Sequence, residues 1–291
     1  MDRAAIFEKI TTLLEMIKFS HTIFAFPFAL MGVVLASLAS GELPSFGQVF
    51  WICVAMVGAR SGAMGINRLI DAKIDAENPR TTERHIPAGK VSVFEAGCFI
   101  VVSLVVLLFA AWMLNPLCFY LAPIAIGFFV LYAYSKRFTH YAHLVLGICL
   151  AAAPIGAWVA LRGDLGWSVV SLALAVLFWV AGFDIFYALQ DYEFDVERGL
   201  HSIPAKLGMK KSFWLVEVFH FLMVFFLLLV YPGSGLGAIY LVGVVVVACM
   251  LLYEHSLIRP GDLSKLDAAF FNMNGYISMT IFVFTLADAV A

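Results

Sequence analysis

Charge is what this sequence has least of. Asp, Glu, Lys and Arg make up 13% of its 291 residues, and 63% of the residues are hydrophobic. A soluble domain carries about 25% charged residues. A chain this apolar cannot be coated with polar side chains, which excludes an ordinary soluble domain and leaves an integral membrane protein. Disulfide and zinc frameworks are missing as well. Cys53, Cys98, Cys118, Cys149 and Cys249 lie inside apolar runs without paired spacing, so they read as small core residues. His85, His140, His143, His201, His220 and His255 show no metal-ligand spacing. There is no Walker-type glycine loop, GxGxxG fingerprint or nucleophile elbow. Nothing in the charge pattern suits a nucleic acid. No small-residue cleavage pattern of the secretory kind stands near Met1, so nothing is expected to be removed there.

What is present is apolar length. Runs at about 22–39, 46–66, 94–114, 117–134, 141–161, 167–190, 213–231, 235–252 and 268–290 each approach the ~20 residues that cross a bilayer. They predict an all-α protein with nine transmembrane helices. Ahead of them, Ile6, Ile10, Leu13, Leu14 and Ile17 recur at helical spacing with charges between, which predicts a short helix lying in the membrane interface. Of the 18 Lys and Arg residues, 16 fall in the N-terminal segment and in loops 67–93, 135–140, 191–212 and 253–267. By the positive-inside rule that side is cytoplasmic. The N-terminus is then inside and the C-terminus outside the cytoplasmic (inner) membrane.

Two acidic stripes stand at cytoplasmic ends of this array. Asn67, Asp71 and Asp75 recur every four residues, so a helix sets them on one face. Asp184, Asp191 and Asp195 follow at steps of seven and four. After each stripe comes a basic loop with Ile-Pro-Ala, at Ile86-Pro87-Ala88 and Ile203-Pro204-Ala205. Like charges on one helix face repel by about 0.2–0.5 kcal/mol per pair. An Asp within the membrane costs roughly 2.5–3.5 kcal/mol. A divalent cation offsets both, and Mg²⁺ typically takes one or two carboxylates plus substrate phosphates. Two such sets in matching places predict a Mg²⁺–diphosphate site, against the plainer reading of solvated helix ends.

Other residues fit around that chemistry. Arg84, Lys136 and Lys206 are candidates to hold a diphosphate, with Tyr132 one turn before Lys136; positive-inside topology is the alternative. Arg60 lies eleven residues before Asp71 on the same face, and a cation within a span implies an anionic partner. Asp184, at similar depth in the sixth run, is one such partner. The carboxylate of an aromatic acid, held bidentately, is the other. His21, just before the first run, fits an anchor, a cap or a substrate contact. The 27 Phe residues suit lipid-facing packing, or walls that stabilise an allylic cation.

The segment NRLIDAKID resembles the first aspartate motif of the UbiA superfamily of intramembrane aromatic prenyltransferases, and DYEFD resembles the second. NPRT, YAYSKR and the nine-helix count match too, so the resemblance covers essentially the whole chain. It implies one domain over 1–291 with related halves of about 1–140 and 141–291, and a bundle around a central cavity. It also implies Mg²⁺-dependent transfer of a prenyl group from a polyprenyl diphosphate to an acceptor. Carried over, it makes Asn67, Asp71, Asp75, Asp191 and Asp195 the ligands of two Mg²⁺ and the diphosphate. Asp191 is the candidate to accept the acceptor's proton or orient its phenol. One departure is Arg68, where many members have Asp. The FSHTIFAFPFAL opening looks most like the quinone-pathway branch, including the futalosine route to menaquinone. 4-Hydroxybenzoate and a dihydroxynaphthoate are both phenolic acids that Arg60 suits. Haem, chlorophyll and archaeal-lipid branches look less similar. A transporter with an Arg60–Asp184 charge pair is the rival reading from another class.

Overall fold

The computed structural model describes residues 3–18, 25–258, 263, 266 and 272–291, and among these there is helix but no strand. In chain order the helices are α1 (Arg3–Met16), α2 (Phe26–Ser40), α3 (Phe46–Glu77), α4 (Val93–Leu114), α5 (Pro116–Ser135) and α6 (Ala142–Arg162). They continue as α7 (Trp167–Ala188), α8 (Tyr192–Glu197), α9 (Ile203–Leu207), α10 (Met209–Val230), α11 (Ala238–Leu257) and α12 (Asn274–Val290). A 3-10 turn, Leu189–Asp191, joins α7 to α8.

Among the described residues, seven helical segments are long and apolar enough to cross a membrane: α3, α4, α5, α6, α7 continued to Glu197, α10 and α11. The first and last expected spans are represented by α2, with 15 residues, and α12, with 17. At 1.5 Å per residue these are about 22 and 26 Å long, short of the ~30 Å hydrocarbon core. Residues 19–24 and 267–271, just ahead of each, lie outside the described residues.

The second span also runs further than its apolar stretch. Apolar character fades at residue 66, yet α3 carries on through both aspartates to Glu77. Pro79 then stops it, because the residue before a proline is pushed out of the α region. α4 restarts at a capping box: Ser92 Oγ accepts from Glu95 N, and Glu95 Oε2 accepts from Ser92 N at 2.8 Å. Between α6 and α7, Arg162 first and Trp158 second hydrogen-bond the Asp164 carboxylate and hold it below its usual range.

The chain forms two compact units, residues 1–22 with 50–134, and residues 23–49 with 135–291. In the first, α3 and α4 meet along a glycine seam. A Cβ at Gly58 would stand 2.8 Å from Leu107 N and 2.9 Å from Ser103 O, and Gly62 and Gly65 face Leu104 and Ile100. Small residues at this spacing let membrane helices approach closely where no hydrophobic driving force operates. The interface helix α1 is fastened to the same unit. Met16 and Ile17 pack with Val91 and Ala96, and Lys9 pairs with Glu95 at 2.8 Å. Phe7, Ile10 and Leu14 of α1 stay exposed, an apolar face of the kind that settles into a membrane surface.

In the second unit α7 is central. It packs against α6 and α10, while α2 packs against α6 and α12, and α11 against α12. Trp179 is fully buried, with Phe28 and Phe183 rings at 5.0 Å. Gly147 lets α6 reach α7, since a Cβ there would lie 2.5 Å from Leu177 O. Asp288 of α12 caps α11 at a distance of 48–51 residues: its oxygens accept from Gly237 N and Tyr240 N, both at 2.6 Å.

Candidate active site

The first unit carries Arg60, Asn67, Asp71 and Asp75 on α3, Tyr132 on α5, and Arg84 in the loop between α3 and α4. Four-residue spacing brings Asn67 onto Asp71, with Nδ2 donating to Oδ2 at 3.0 Å. Asp75, one turn on, is 5% exposed. The segment after α3 folds back to reach it. Arg80 N donates to Asn78 Oδ1, and the Thr81 hydroxyl donates to the Asp75 carbonyl at 3.0 Å. That hairpin brings Arg84 onto the helix end, where Nη1 donates to both Asp75 oxygens at 2.6 and 2.7 Å. The NPRT residues thus act by aiming Arg84.

Arg68, the departure from the usual motif, points elsewhere. It is buried, and its Nε donates to the Met16 carbonyl at 3.3 Å. A guanidinium cannot ligate a cation, and here it ties α1 to α3. Arg60 has a buried Nε without a hydrogen-bond partner among the described residues. Tyr132 lies near enough to act on it electrostatically.

The second unit carries Lys136 after α5, Asp184 on α7, Asp191 in the 3-10 turn, Asp195 on α8 and Lys206 on α9. The stripe is therefore not one continuous α-helix: the chain tightens at Leu189–Asp191 before α8. Asp191 and Asp195 are both buried. Asp195 Oδ2 has no hydrogen-bond partner among the described residues. Ser202 hydrogen-bonds the Asp195 side chain, and Lys136, Asp191 and His143 lie within electrostatic range of it. Ser202 also caps α9 by accepting from Ala205 N. This loop is sewn to the turn after α5: His201 N donates to the Lys136 carbonyl at 2.8 Å, and His140 Nδ1 meets the Ser202 carbonyl at 3.2 Å. Lys206 is exposed, with its Nζ 5.9 Å from the centre of the Tyr141 ring.

His143 is a residue that ligand spacing did not reveal. It is fully buried, bonds Asp184 Oδ2 at 2.6 Å, and accepts from Ile203 N at 3.4 Å. Its signal was an ionisable residue two positions past the start of the 141–161 apolar run, a site of default interest in a membrane. His220 and His255, meeting at 2.9 Å beside Phe186, were equally silent in the sequence. His21 lies outside the described residues.

The donors of each unit suit a hard cation. The first offers carboxylates and the Asn67 amide, and the second offers carboxylates, among which the buried Asp195 Oδ2 lacks a partner among the described residues, a position that an uncompensated charge does not hold without cost. Among the described residues no three His, Cys, Asp or Glu side chains cluster closely enough to hold a metal by themselves. A magnesium site that shares one or two carboxylates with substrate phosphates needs no such cluster.

Comparison with known proteins points the same way. The model of the UbiA prenyltransferase family matches residues 25–276. A 4-hydroxybenzoate octaprenyltransferase of Vibrio cholerae is 32% identical over 247 residues, covering 84% of this chain and 85% of that protein. The enzyme of the same name from Vibrio campbellii is 29% identical, with 84% and 86% covered. Among solved structures, the apo form of a UbiA homolog from Aeropyrum pernix superposes with a TM-score of 0.83 at 30% identity, over 92% of this chain and 98% of that one. A UbiA homolog from Archaeoglobus fulgidus bound to DMAPP and Mg²⁺ shares the fold, with a TM-score of 0.71 at 20% identity and 96% and 99% covered.

Proposed function

Because the chain belongs to the UbiA prenyltransferase family, and is thus a multi-pass membrane prenyltransferase, we propose that it moves a polyprenyl group from a polyprenyl diphosphate to a phenolic aromatic acid. The acceptor is 4-hydroxybenzoate or a dihydroxynaphthoate, as in quinone biosynthesis. The observation that carries this reading is the doubled carboxylate set, Asn67–Asp71 with Asp75 on α3 and Asp191 with Asp195 after α7. The relatives' names, the Mg²⁺ and DMAPP in the Archaeoglobus fulgidus structure, and the oxygen-only donor set all support it.

In this reading Asn67, Asp71, Asp75, Asp191 and Asp195 hold Mg²⁺ and the diphosphate. The bound ion supplies charge that stabilises the departing diphosphate. Arg84, Lys136 and Lys206 add fixed positive charge at the same leaving group, and preorganised charge of this kind is the main lever on such a barrier. Tyr132 joins them. Arg60, with its unpartnered buried Nε, takes the carboxylate of the acceptor, and Asp184 and His21 complete the acceptor's surroundings. The folded-back loops after each motif keep water from the allylic cation. The nine apolar runs of the sequence are its nine spans. The two halves repeat one plan, and the basic loops face the cytoplasm.

Alanine at Asp71 or Asp191 tests this. Each variant is expected to keep its helical spectrum in detergent and to lose turnover by at least about 10²-fold, the scale of removing one charge-stabilising group. Full activity in either variant would remove that residue from the site.

A further inference from the structure

Among the described spans α7 is the most enclosed, yet one line along it keeps some accessibility. Beyond its first turn the residues with residual accessibility are Leu174, Leu177, Phe178, Asp184 and Tyr187. They recur at helical spacing and so mark one stripe. The neighbours of Asp184 on the helix, Phe183, Ile185 and Phe186, are buried. The Asp184 side chain is 16% exposed. A carboxylate in a span does not face hydrocarbon without a heavy penalty, so the accessible part of Asp184 calls for a polar group.

Asp184 is also aimed. Ile203 N–H has only a proton to offer, so His143 Nε2 meets it with a lone pair. A neutral imidazole then carries its proton on Nδ1, which donates to Asp184 Oδ2 at 2.6 Å. One carboxylate oxygen is thereby fixed, and the other remains on the open stripe. The same Ile203 follows Ser202, which bonds Asp195. The orientation of Asp184 is therefore tied to the loop that holds the second aspartate pair.

The distance fits a reaction. From Asp184 to Asp191 the chain makes four α steps and three 3-10 steps, about 12 Å along the axis and about 40° around it. An attack contact of about 3–3.5 Å, a hydrogen bond of about 2.6–3.2 Å, half an aromatic ring and the diphosphate bridge together fill that interval. Beyond Asp184, the stripe continues as Leu174, Leu177 and Phe178, with no further charge.

Resting on the function proposed above, we infer that Asp184, oriented by His143, receives the phenolic O–H of the acceptor. The hydroxyl proton passes to Asp184 as the ring carbon ortho to oxygen bonds to C1 of the prenyl group. The bond from C1 to the diphosphate oxygen breaks with its electron pair going to diphosphate. The resulting dienone then loses its ring proton to the released diphosphate, and Asp184 returns its proton to the oxygen. Asp191, buried with the diphosphate set, is left to the leaving group. Asp184 is then a catalytic residue and His143 a positioning residue.

The test compares parent, Asp184→Asn, His143→Ala and His143→Asn with Mg²⁺, geranyl diphosphate and 4-hydroxybenzoate, following both prenylated acid and diphosphate release. Asp184→Asn keeps the shape but cannot take a proton. It is expected to lower ring prenylation by about 10²-fold or more, the usual range for a general base. Diphosphate release should fall with it, because water is kept from C1 and cleavage then needs the attacking ring. His143→Asn restores a donor near the Nδ1 position, so it should recover transfer that His143→Ala loses. Independent of turnover, parent should bind 4-hydroxybenzoate more tightly than 4-methoxybenzoate, which lacks the O–H, and Asp184→Asn should bind the two alike. Transfer by Asp184→Asn within threefold of parent overturns the assignment, as does an Asp184→Asn variant that still prefers 4-hydroxybenzoate to 4-methoxybenzoate as strongly as parent. Absence of prenylated acid from the parent with both 4-hydroxybenzoate and 1,4-dihydroxy-6-naphthoate would instead overturn the proposed function.

Discussion

Replacing Arg84 with alanine leaves a buried carboxylate without its cation. Nη1 alone reaches both Asp75 oxygens, at 2.6 and 2.7 Å. Stripping one partner from a fully buried pair costs about 3–5 kcal/mol, and a hydrogen bond to a charged group contributes about 1.5–3 kcal/mol. The Asp75 side chain is 7% exposed but that of Arg84 is 24% exposed, so water can enter the vacated space and the lower range applies. The expected loss is about 1.5–3 kcal/mol, read from helicity in dodecyl maltoside against rising SDS. Because a single nitrogen makes both contacts, Arg84→Lys should keep most of the stability, although Arg-to-Lys changes at two-nitrogen sites usually do not. Combining Arg84→Ala with Asp75→Asn should cost less than the two separate losses together, as expected for groups in contact. In a second readout, Mn²⁺ binding without diphosphate should tighten in Arg84→Ala, since both Asp75 oxygens become available. A loss below about 0.5 kcal/mol, the level of an ordinary surface change, together with no coupling, would refute the reasoning.

Three further outcomes follow from named contacts. Arg68→Ala frees the Met16 carbonyl and should speed proteolytic clipping ahead of α2, while metal-dependent diphosphate binding stays as in the parent; a lost metal response would make Arg68 part of the site. Gly58→Val places a side chain against Leu107 N and Ser103 O and should destabilise the first unit by about 1–3 kcal/mol, the usual penalty for overpacking, detected as a lower thermal midpoint. Asp288→Ala removes two acceptors from the start of α11 and should cost about 1–2 kcal/mol, as losing a helix cap does; an unchanged midpoint would contradict the capping role.

The sequence was most legible where spacing alone decides contact. Four-residue steps placed Asn67 against Asp71, and the structure has that bond at 3.0 Å. Apolar runs located seven of the nine expected spans among the described residues, because length and hydropathy suffice to find them. Contacts that depend on how a loop folds were not legible. Nothing in the spacing of Asp75 and Arg84 says that Thr81 would turn the chain back and deliver the guanidinium to the carboxylate. The even pattern of Asp184, Asp191 and Asp195 also hid a change of helix type, since a 3-10 turn shifts the register by only tens of degrees. Arg68 looked like a departure from a metal motif, and its explanation lies 52 residues earlier at Met16. The partners of His143 were not legible for the same reason: Asp184 and Ile203 are 41 and 60 residues away.

The most direct measurement is product analysis by mass spectrometry. Purified protein is incubated with Mg²⁺ and geranyl diphosphate, with 4-hydroxybenzoate in one tube and 1,4-dihydroxy-6-naphthoate in another, and each is repeated with EDTA. The account predicts a ring-prenylated acid in at least one tube, its disappearance with EDTA, and a preference that identifies the acceptor. Folded protein that yields no prenylated acid from either, with solute uptake by the same protein in vesicles, would contradict it.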